Sequence, residues 1–475
     1  MYSIKHLVVS LLLQSSITYA DNGRVLMGYI STQNQTPVEG RVNVDEMPSS
    51  LTHVLFAFAE IDSKTNSCII LDDQMDTKDT SSPLLSSELK PNSTSCAADQ
   101  QAKGNLGALY AFKKKNPHVQ VLLSVGGASP ERTKAFADST STDAGVDTLA
   151  KSCIKMALDY GLDGVDWDWE TPDGTGQWEN YLKLTTATRK YLNEFKDNKT
   201  YLQTIAILPS ALTSSTGNGA AADVTSLKKM SDQLDFVNLM TYDSSPGSDR
   251  ALHDSPLFAA PDSWGAHSMN DTVTRALTLI PANKLVVGSP LYGRQSVVVP
   301  FTRDSDKSSN RGLFQKIDTS KSNQGETIWY NQIRDNYLTN SDFVRYWDDS
   351  SKSPYLFNSN TNTFITYTDS ESLLAVAQYI KDKNLAGIFF WHLGGSYNRK
   401  TKQEELVDFV ASKLDKVDMR KRHVCAPRSP FCNIYSTCPA STNGDNVISG
   451  NFKSSIISPL SLTLLLSFTL ALITV

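Results

Sequence analysis

No excess of basic charge runs through this chain: 45 Lys and Arg stand against 50 Asp and Glu, for a formal charge of -5. No long basic stretch occurs beyond short runs such as that from Met419 to Arg422. That balance argues against a nucleic-acid partner and suits an uncharged substrate. Cysteine is sparse, with 6 in 475 residues, and no spacing among them resembles a zinc site. No metal and no cofactor are expected. The first apolar run is not followed by a GxGxxG turn, which weakens a doubly wound dinucleotide fold. What remains is an ordinary globular composition, 40% apolar and 20% charged, with ample material for a large core.

Long apolar runs occur at the two ends. Residues 1–20 place Lys5 and His6 before a Leu and Val run, with Thr18 and Ala20 at small-residue positions, as in a secretory signal cleaved after Ala20. Residues 446–475 end in an uncharged tail after Lys453, preceded by Asn443, Gly444 and Asp445. This pattern fits a glycosylphosphatidylinositol (GPI) attachment signal, with a retained membrane span as the alternative. The expected location is extracellular, either anchored at the cell surface or secreted. Cys68 and Cys96 bracket a polar loop that a disulfide would close, Cys153 reads as a buried free thiol, and Cys425, Cys432 and Cys438 cluster in an extension over 416–445. Glycosylation sequons occur at Asn34, Asn92, Asn198 and Asn270.

Between the ends, short apolar runs alternate with helical segments. Runs beginning at Val25, His53, Gln120, Gly164, Leu202, Phe236, Leu285 and Ala386 read as eight buried strands. Their alternation with helices predicts an α/β fold, a parallel (β/α)8 TIM barrel over 21–415, with an open doubly wound sheet as competitor. Too many residues separate the last two strands for one helix. A small α+β insertion over about 295–364 is therefore expected.

The fourth strand carries the chemistry. It reads LDGVDWDWET from Leu162, with Asp166, Asp168 and Glu170 at every second position. Residues two apart in a strand share a face roughly 6.6 Å apart, so the acids point one way while Val165, Trp167 and Trp169 point the other. Barrel enzymes build their sites at the C-terminal ends of strands, which puts Glu170 at the mouth and the two aspartates beneath it. Crowded carboxylates cannot all ionise cheaply, so one of them holds a proton and can serve as a donor.

The run Asp163, Asp166, Asp168, Glu170 resembles the DxxDxDxE signature of family 18 glycoside hydrolases, the chitinases and their relatives. Other strands are similar as well: GYI at Gly28, FAFA at Phe56, SVGG at Ser124, MTYD at Met240, PLYGR at Pro290, and Trp391 ending the eighth strand. Within the insertion, YNQI at Tyr330, Trp347 with Asp348, Pro354 and FITYTD at Phe364 resemble the chitinase insertion domain. Thr171 stands where the family commonly has an aromatic, and His392 to Gly395 lack its usual acid, so outer subsites are expected to be built differently.

The resemblance implies a monomeric chitinase cleaving β-1,4 bonds between N-acetylglucosamine units by a retaining, substrate-assisted route. Glu170 would be the acid and then the base, Asp168 would orient the acetamido group, Asp166 would modulate Asp168, and Tyr242 would donate its hydroxyl to the acetamido oxygen. Trp391 would floor that subsite, with Met240, Asp243, Tyr29 and Arg294 lining the cleft. Each has a plainer reading: Tyr242 and Trp391 as core aromatics, Arg294 as the partner of an acid on the insert, and Ser124, Gly126 and Gly127 as a tight turn. A chitin-binding lectin on the same fold usually lacks the terminal Glu, and an endo-β-N-acetylglucosaminidase acting on N-glycans usually lacks the insert. A structural wall protein would explain the tail but not the acids.

Overall fold

Strand β1 (Val25–Ser31) is followed by β2 (His53–Asp62), which turns back as the short antiparallel β3 (Ser67–Ile70). β4 (Gln120–Gly126), β5 (Gly164–Asp168), β6 (Leu202–Ile207), β7 (Phe236–Leu239) and β8 (Leu285–Pro290) then add in parallel. A separate antiparallel sheet is made by β9 (Tyr292–Val297), β10 (Glu326–Trp329), β11 (Val344–Asp348), β12 (Ser353–Asn358) and β13 (Thr363–Thr366). β14 (Gly387–Trp391) returns between β8 and β1, and because β1 also pairs with β2, the eight parallel strands close into a barrel. This computed structural model describes residues 23–31, 44–70, 104–194, 200–212, 224–260, 267–300, 311–321, 325–422 and 424–425.

Helices α1 (Gly104–Lys115), α2 (Pro130–Ser139), α3 (Asp143–Asp159), α4 (Gly174–Glu194), α5 (Val224–Gln233), α6 (Met269–Ala276), the single turn α7 (Tyr330–Gln332), α8 (Ser370–Asp382) and α9 (Glu405–Ala411) complete the fold. Their starts are written locally. Ser129 accepts from the Arg132 N–H with Pro130 in the first turn of α2, and Asp369 with Ser372 forms a reciprocal cap on α8. The strands are apolar on both faces because each face is buried. Val25, Met27 and Tyr29 join the barrel interior, whereas Leu26 and Ile30 join the layer between strands and helices. The same alternation places Trp167 and Trp169 outside, where Trp169 stacks on Phe136 of α2 at 5.1 Å and the Tyr181 hydroxyl of α4 donates to the Trp167 carbonyl. Asp166 and Asp168 are left facing inward.

Three expectations change. Cys153 is not a free thiol, and Cys68 pairs with it rather than with Cys96. The β3 hairpin carries Cys68 back over α3, so their Cα atoms lie 5.1 Å apart across 85 residues of sequence. A loop of that length gives about 4–5 kcal/mol in the chain-entropy view. Cys425 is also disulfide-bonded, while Cys96, Cys432 and Cys438 lie outside the described residues. Second, the inserted sheet runs from Tyr292 to Thr366, wider than expected at both ends, because a single residue, Leu291, separates β8 from β9 and no turn signal marks the boundary. Third, residue 415 does not end the barrel body: Arg24 donates its N–H to Lys416 O and accepts from Asp418 N–H, and Arg422 binds the carbonyls of Pro117 and His118. The Asn270 sequon lies in α6, its side-chain oxygen accepting from the Tyr379 hydroxyl. Asn34, Asn92 and Asn198, residues 1–20 and residues 446–475 are outside the described residues. Among the described residues, no helix is long and apolar enough to cross a membrane.

Candidate active site

Asp166 is the most enclosed of the acids. Both carboxyl oxygens are occupied: Ser124 Oγ (2.7 Å) and the Tyr29 hydroxyl (3.0 Å) donate to Oδ2, Thr204 Oγ1 (2.5 Å) and Asn238 Nδ2 (3.3 Å) to Oδ1. Strand register puts Ser124 and Thr204 directly beside Asp166 on either side, so one layer of the barrel supplies the donors. Burial raises the Asp166 carboxyl, and these four bonds pull it back toward the charged form.

Asp168 sits one layer higher with no comparable support. Its Oδ1 is buried without a hydrogen-bond partner. Burial first, then the charges of Glu170 and Asp166, push its carboxyl well above the ordinary range, with Arg132 opposing. The backbone here is tightly set: Gly127 N–H donates to the Asp168 carbonyl (2.9 Å), and a Cβ on Gly126, whose φ is 111°, would lie 2.3 Å from that oxygen. These glycines are thus required for close approach, as their plainer reading held.

Glu170 lies two residues beyond the end of β5, half-buried at the rim, its carbonyl accepting from Thr133 Oγ1 at the start of α2. Its carboxyl is raised to about 7, by burial first and then by Asp243, with Arg132 again opposing. The crowding acts otherwise than expected: Glu170 is raised by burial and an acid from another strand end, and it is Asp168 that bears the charges of Glu170 and Asp166. Glu170 and Asp168 thus compete for a proton, both being raised above the ordinary carboxylate range.

The opposite wall comes from the end of β7. Met240 and Tyr242 point into the barrel interior, and Gly288 on β8 makes room for the Tyr242 ring, since a Cβ there would come within 2.7 Å of it. Asp243 follows with a positive φ of 56° and accepts on Oδ1 from the Tyr292 hydroxyl (2.6 Å) and from Arg294 Nη2. Arg294 therefore pairs with acids of a barrel loop, not of the insert. Trp391 is half-buried at the end of β14, its ring 5.3 Å from Tyr29 and stacked on Phe58 at 5.6 Å. Arg132 covers the other side of this aromatic group, 5.3 Å from the Phe58 ring centre, and is paired with Glu60 at 2.7 Å. Among the described residues, no group of three His, Cys, Asp or Glu side chains is placed to hold a metal ion.

The acid ladder, held by side chains of four other strands and ending in a rim glutamate raised to about 7, lies within the stretch that a family model matches. The model for glycosyl hydrolases family 18 covers residues 25–395. The chain belongs to this family. It is 32% identical to Chitinase A1 of Niallia circulans over 333 residues, which is 65% of this chain and 45% of that protein, so it spans less than half of that relative's length. It is 30% identical to Chitotriosidase-1 of Mus musculus over 361 residues, covering 74% of this chain and 68% of the relative. Among solved structures, Chitinase ChiA74 from Bacillus thuringiensis superposes with a TM-score of 0.67 at 27% identity, covering 82% of this chain and 70% of that one.

In this family 18 member Asp166, Asp168, Glu170, Tyr242, Asp243, Met240 and Trp391 converge on one mouth, with Arg294 behind Asp243. Tyr29 departs from its expected place. It is 1% exposed and turned onto Asp166, so it supports the acid from below instead of lining the open cleft. Asp163 does not join the site; it lies at the N-terminal end of the strand. Ser124, Thr204, Asn238, Arg132 and Glu60 were not singled out for roles here. For the first three a signal existed, since each is a polar residue inside a largely apolar strand. For Arg132 and Glu60 nothing local distinguishes them from surface charge.

Proposed function

We propose that this chain is a chitinase that hydrolyses β-1,4 linkages between N-acetylglucosamine units with retention, using the substrate's own acetamido group. The observation that carries this reading is Asp168: a buried carboxyl with an unfilled oxygen, next to a rim glutamate near pKa 7. An amide N–H of the sugar supplies the missing donor.

In the first step Glu170 gives its proton to the bridging oxygen as the anomeric carbon–oxygen bond breaks. The acetamido carbonyl oxygen bonds to the anomeric carbon from the opposite face, and the positive charge that develops on the ring thus closed is stabilised by Asp168 through the N–H. Tyr242 donates its hydroxyl to the acetamido oxygen. Asp166, held by four donors, supports Asp168 from beneath, and Tyr29 acts through it. Water then attacks the anomeric carbon, losing a proton to Glu170, and the acetamido group is released. Trp391 offers a ring face to the sugar, with Met240, Asp243 and Arg294 completing the wall.

Glu170 is present, which counts against a binding-only role, and the inserted sheet counts against an N-glycan endoglycosidase. The Cys68–Cys153 bridge suits an oxidising compartment. The same reading includes secretion through residues 1–20, a GPI signal over 446–475 and a monomer. The test is Glu170→Gln on soluble chitin oligomers with product anomers followed in time. Wild type should release the β anomer first and the variant should lose most activity. An α product, or an unimpaired variant, would overturn the mechanism. Phospholipase release from cells would test the anchor.

A further inference from the structure

Asp254 is a buried acid that the mechanism above leaves unused. It follows β7 in the loop toward α6, is 1% exposed, and joins three elements. Its N–H donates to Thr366 Oγ1 on β13 (3.1 Å), and its carbonyl accepts from Ser244 N–H (2.9 Å). The Ser245 hydroxyl donates to Oδ1 (2.7 Å), while Oδ2 has no hydrogen-bond partner. Across the seam between barrel and insert, Arg294 Nε faces the same Oδ1 at 3.7 Å, and that nitrogen also lacks a hydrogen-bond partner. The other Arg294 nitrogens are committed: Nη2 to Asp243, Nη1 to Thr327 Oγ1 (2.6 Å) and the Gly325 carbonyl (3.3 Å). One guanidinium is thus shared by two carboxylates, Asp243 at the cleft and Asp254 behind it.

We propose that Asp254 is a positioning residue for the hydrolysis: by holding the Nε edge of Arg294 it sets how much of that cation Asp243 receives, and through Asp243 the field at Glu170. This rests on the assignment of Glu170 as proton donor. The groups facing Asp254 are Asp243 and Ser245 from its own loop, Arg294 and Tyr292 from β9, and Thr366 from β13; neighbouring His253 is engaged by Asp348 of β11 at 3.2 Å. Burial and Asp243 raise Asp254 to about 6, while Arg294 and Ser245 hold it down. Above that value Asp254 is charged, draws on Arg294 and leaves Asp243 less neutralised, so Glu170 keeps its proton to higher pH. Below it Arg294 serves Asp243 alone.

Asp254→Asn preserves shape and the acceptor for Ser245 while removing the charge. With one negative neighbour fewer, Glu170 should lose its proton at lower pH, and the alkaline limb of kcat/KM against pH on an N-acetylglucosamine oligomer should move acidward by roughly half a pH unit. Ser245→Ala removes a donor to charged Asp254, keeps it neutral to higher pH, and should move the limb in the same direction. An unmoved limb, with or without a loss of stability, overturns the proposal. Carbon-13 titration of the Glu170 carboxyl in wild type and Asp254→Asn reads the same shift without substrate. An inactive wild type would therefore sink the proposed function, while this titration still decides the role of Asp254.

Discussion

Lys113 Nζ lies 2.6 Å from Asp163 Oδ2 at the N-terminal end of the barrel, with both side chains almost wholly buried. Lys113 also donates to the Gly161 carbonyl, and Asp163 accepts from the Val121 N–H, so the pair is tied to the start of β5 and to β4. The first acid of the DxxDxDxE run is therefore a structural ion. Asp163→Ala should cost about 3–5 kcal/mol, since it strands a buried ammonium. Five residues of strand, roughly 16 Å, separate it from Asp168, so the pH profile of the folded variant should match wild type. Urea denaturation together with kcat/KM against pH checks both halves; unchanged stability would contradict the pairing.

Arg132 is the cation that opposes proton retention on both Asp168 and Glu170. Its position is fixed by Glu60 on one edge and the Phe58 ring on its face. Arg132→Gln removes a positive charge beside two acids, which favours their neutral forms, so the Glu170 carboxyl should rise above about 7. The alkaline limb of kcat/KM should then extend to higher pH, opposite in sign to the effect of Asp254→Asn. A limb that stays put or retreats would remove Arg132 from the electrostatics of the site.

His53 starts β2 inside the barrel base, with Thr52 Oγ1 2.7 Å from Nδ1 and Nε2 lacking a partner. Burial, aided by Arg422, holds its pKa down to about 3, against an ordinary value of 6.5. Between those values the unfolded chain takes up a proton that the fold refuses, so His53 withdraws stability as pH falls, at up to about 1.4 kcal/mol per pH unit. Glu170 works the other way: raised from 4.5 to about 7, its contribution is full below 4.5 and lost as pH rises through 7. His53→Leu isolates the first effect. Its stability relative to wild type, from urea titrations at several pH values, should improve steadily below about pH 6.5; a constant difference would show that His53 titrates normally in the fold.

Much of the barrel can be read from the chain because each strand announces itself locally. Runs such as QVLLSVG and GIFFW are apolar enough to read as strands buried on both faces, and the two-residue period of Asp166, Asp168 and Glu170 sets their face without any partner strand. What escaped notice was settled between distant segments. The bridge to Cys153 depends on a hairpin crossing a helix, Arg132 gains its role only when α2 abuts β5, and Asp254 matters because the insert brings Arg294 over it. Tyr29 illustrates the limit: its strand was evident, but whether its hydroxyl reached sugar or Asp166 depended on depth in the barrel, which spacing along one strand does not encode.

The join between β8 and β9 is Leu291 alone, its N–H bound to the Trp391 carbonyl (2.9 Å) and its own carbonyl to the Tyr330 N–H (3.0 Å). A single residue pinned on both sides has no slack to act as a hinge. Barrel and inserted sheet are thus continuous at this crossing, so the wall that β9 carries, with Tyr292 and Arg294, is registered directly on the barrel strand beside it.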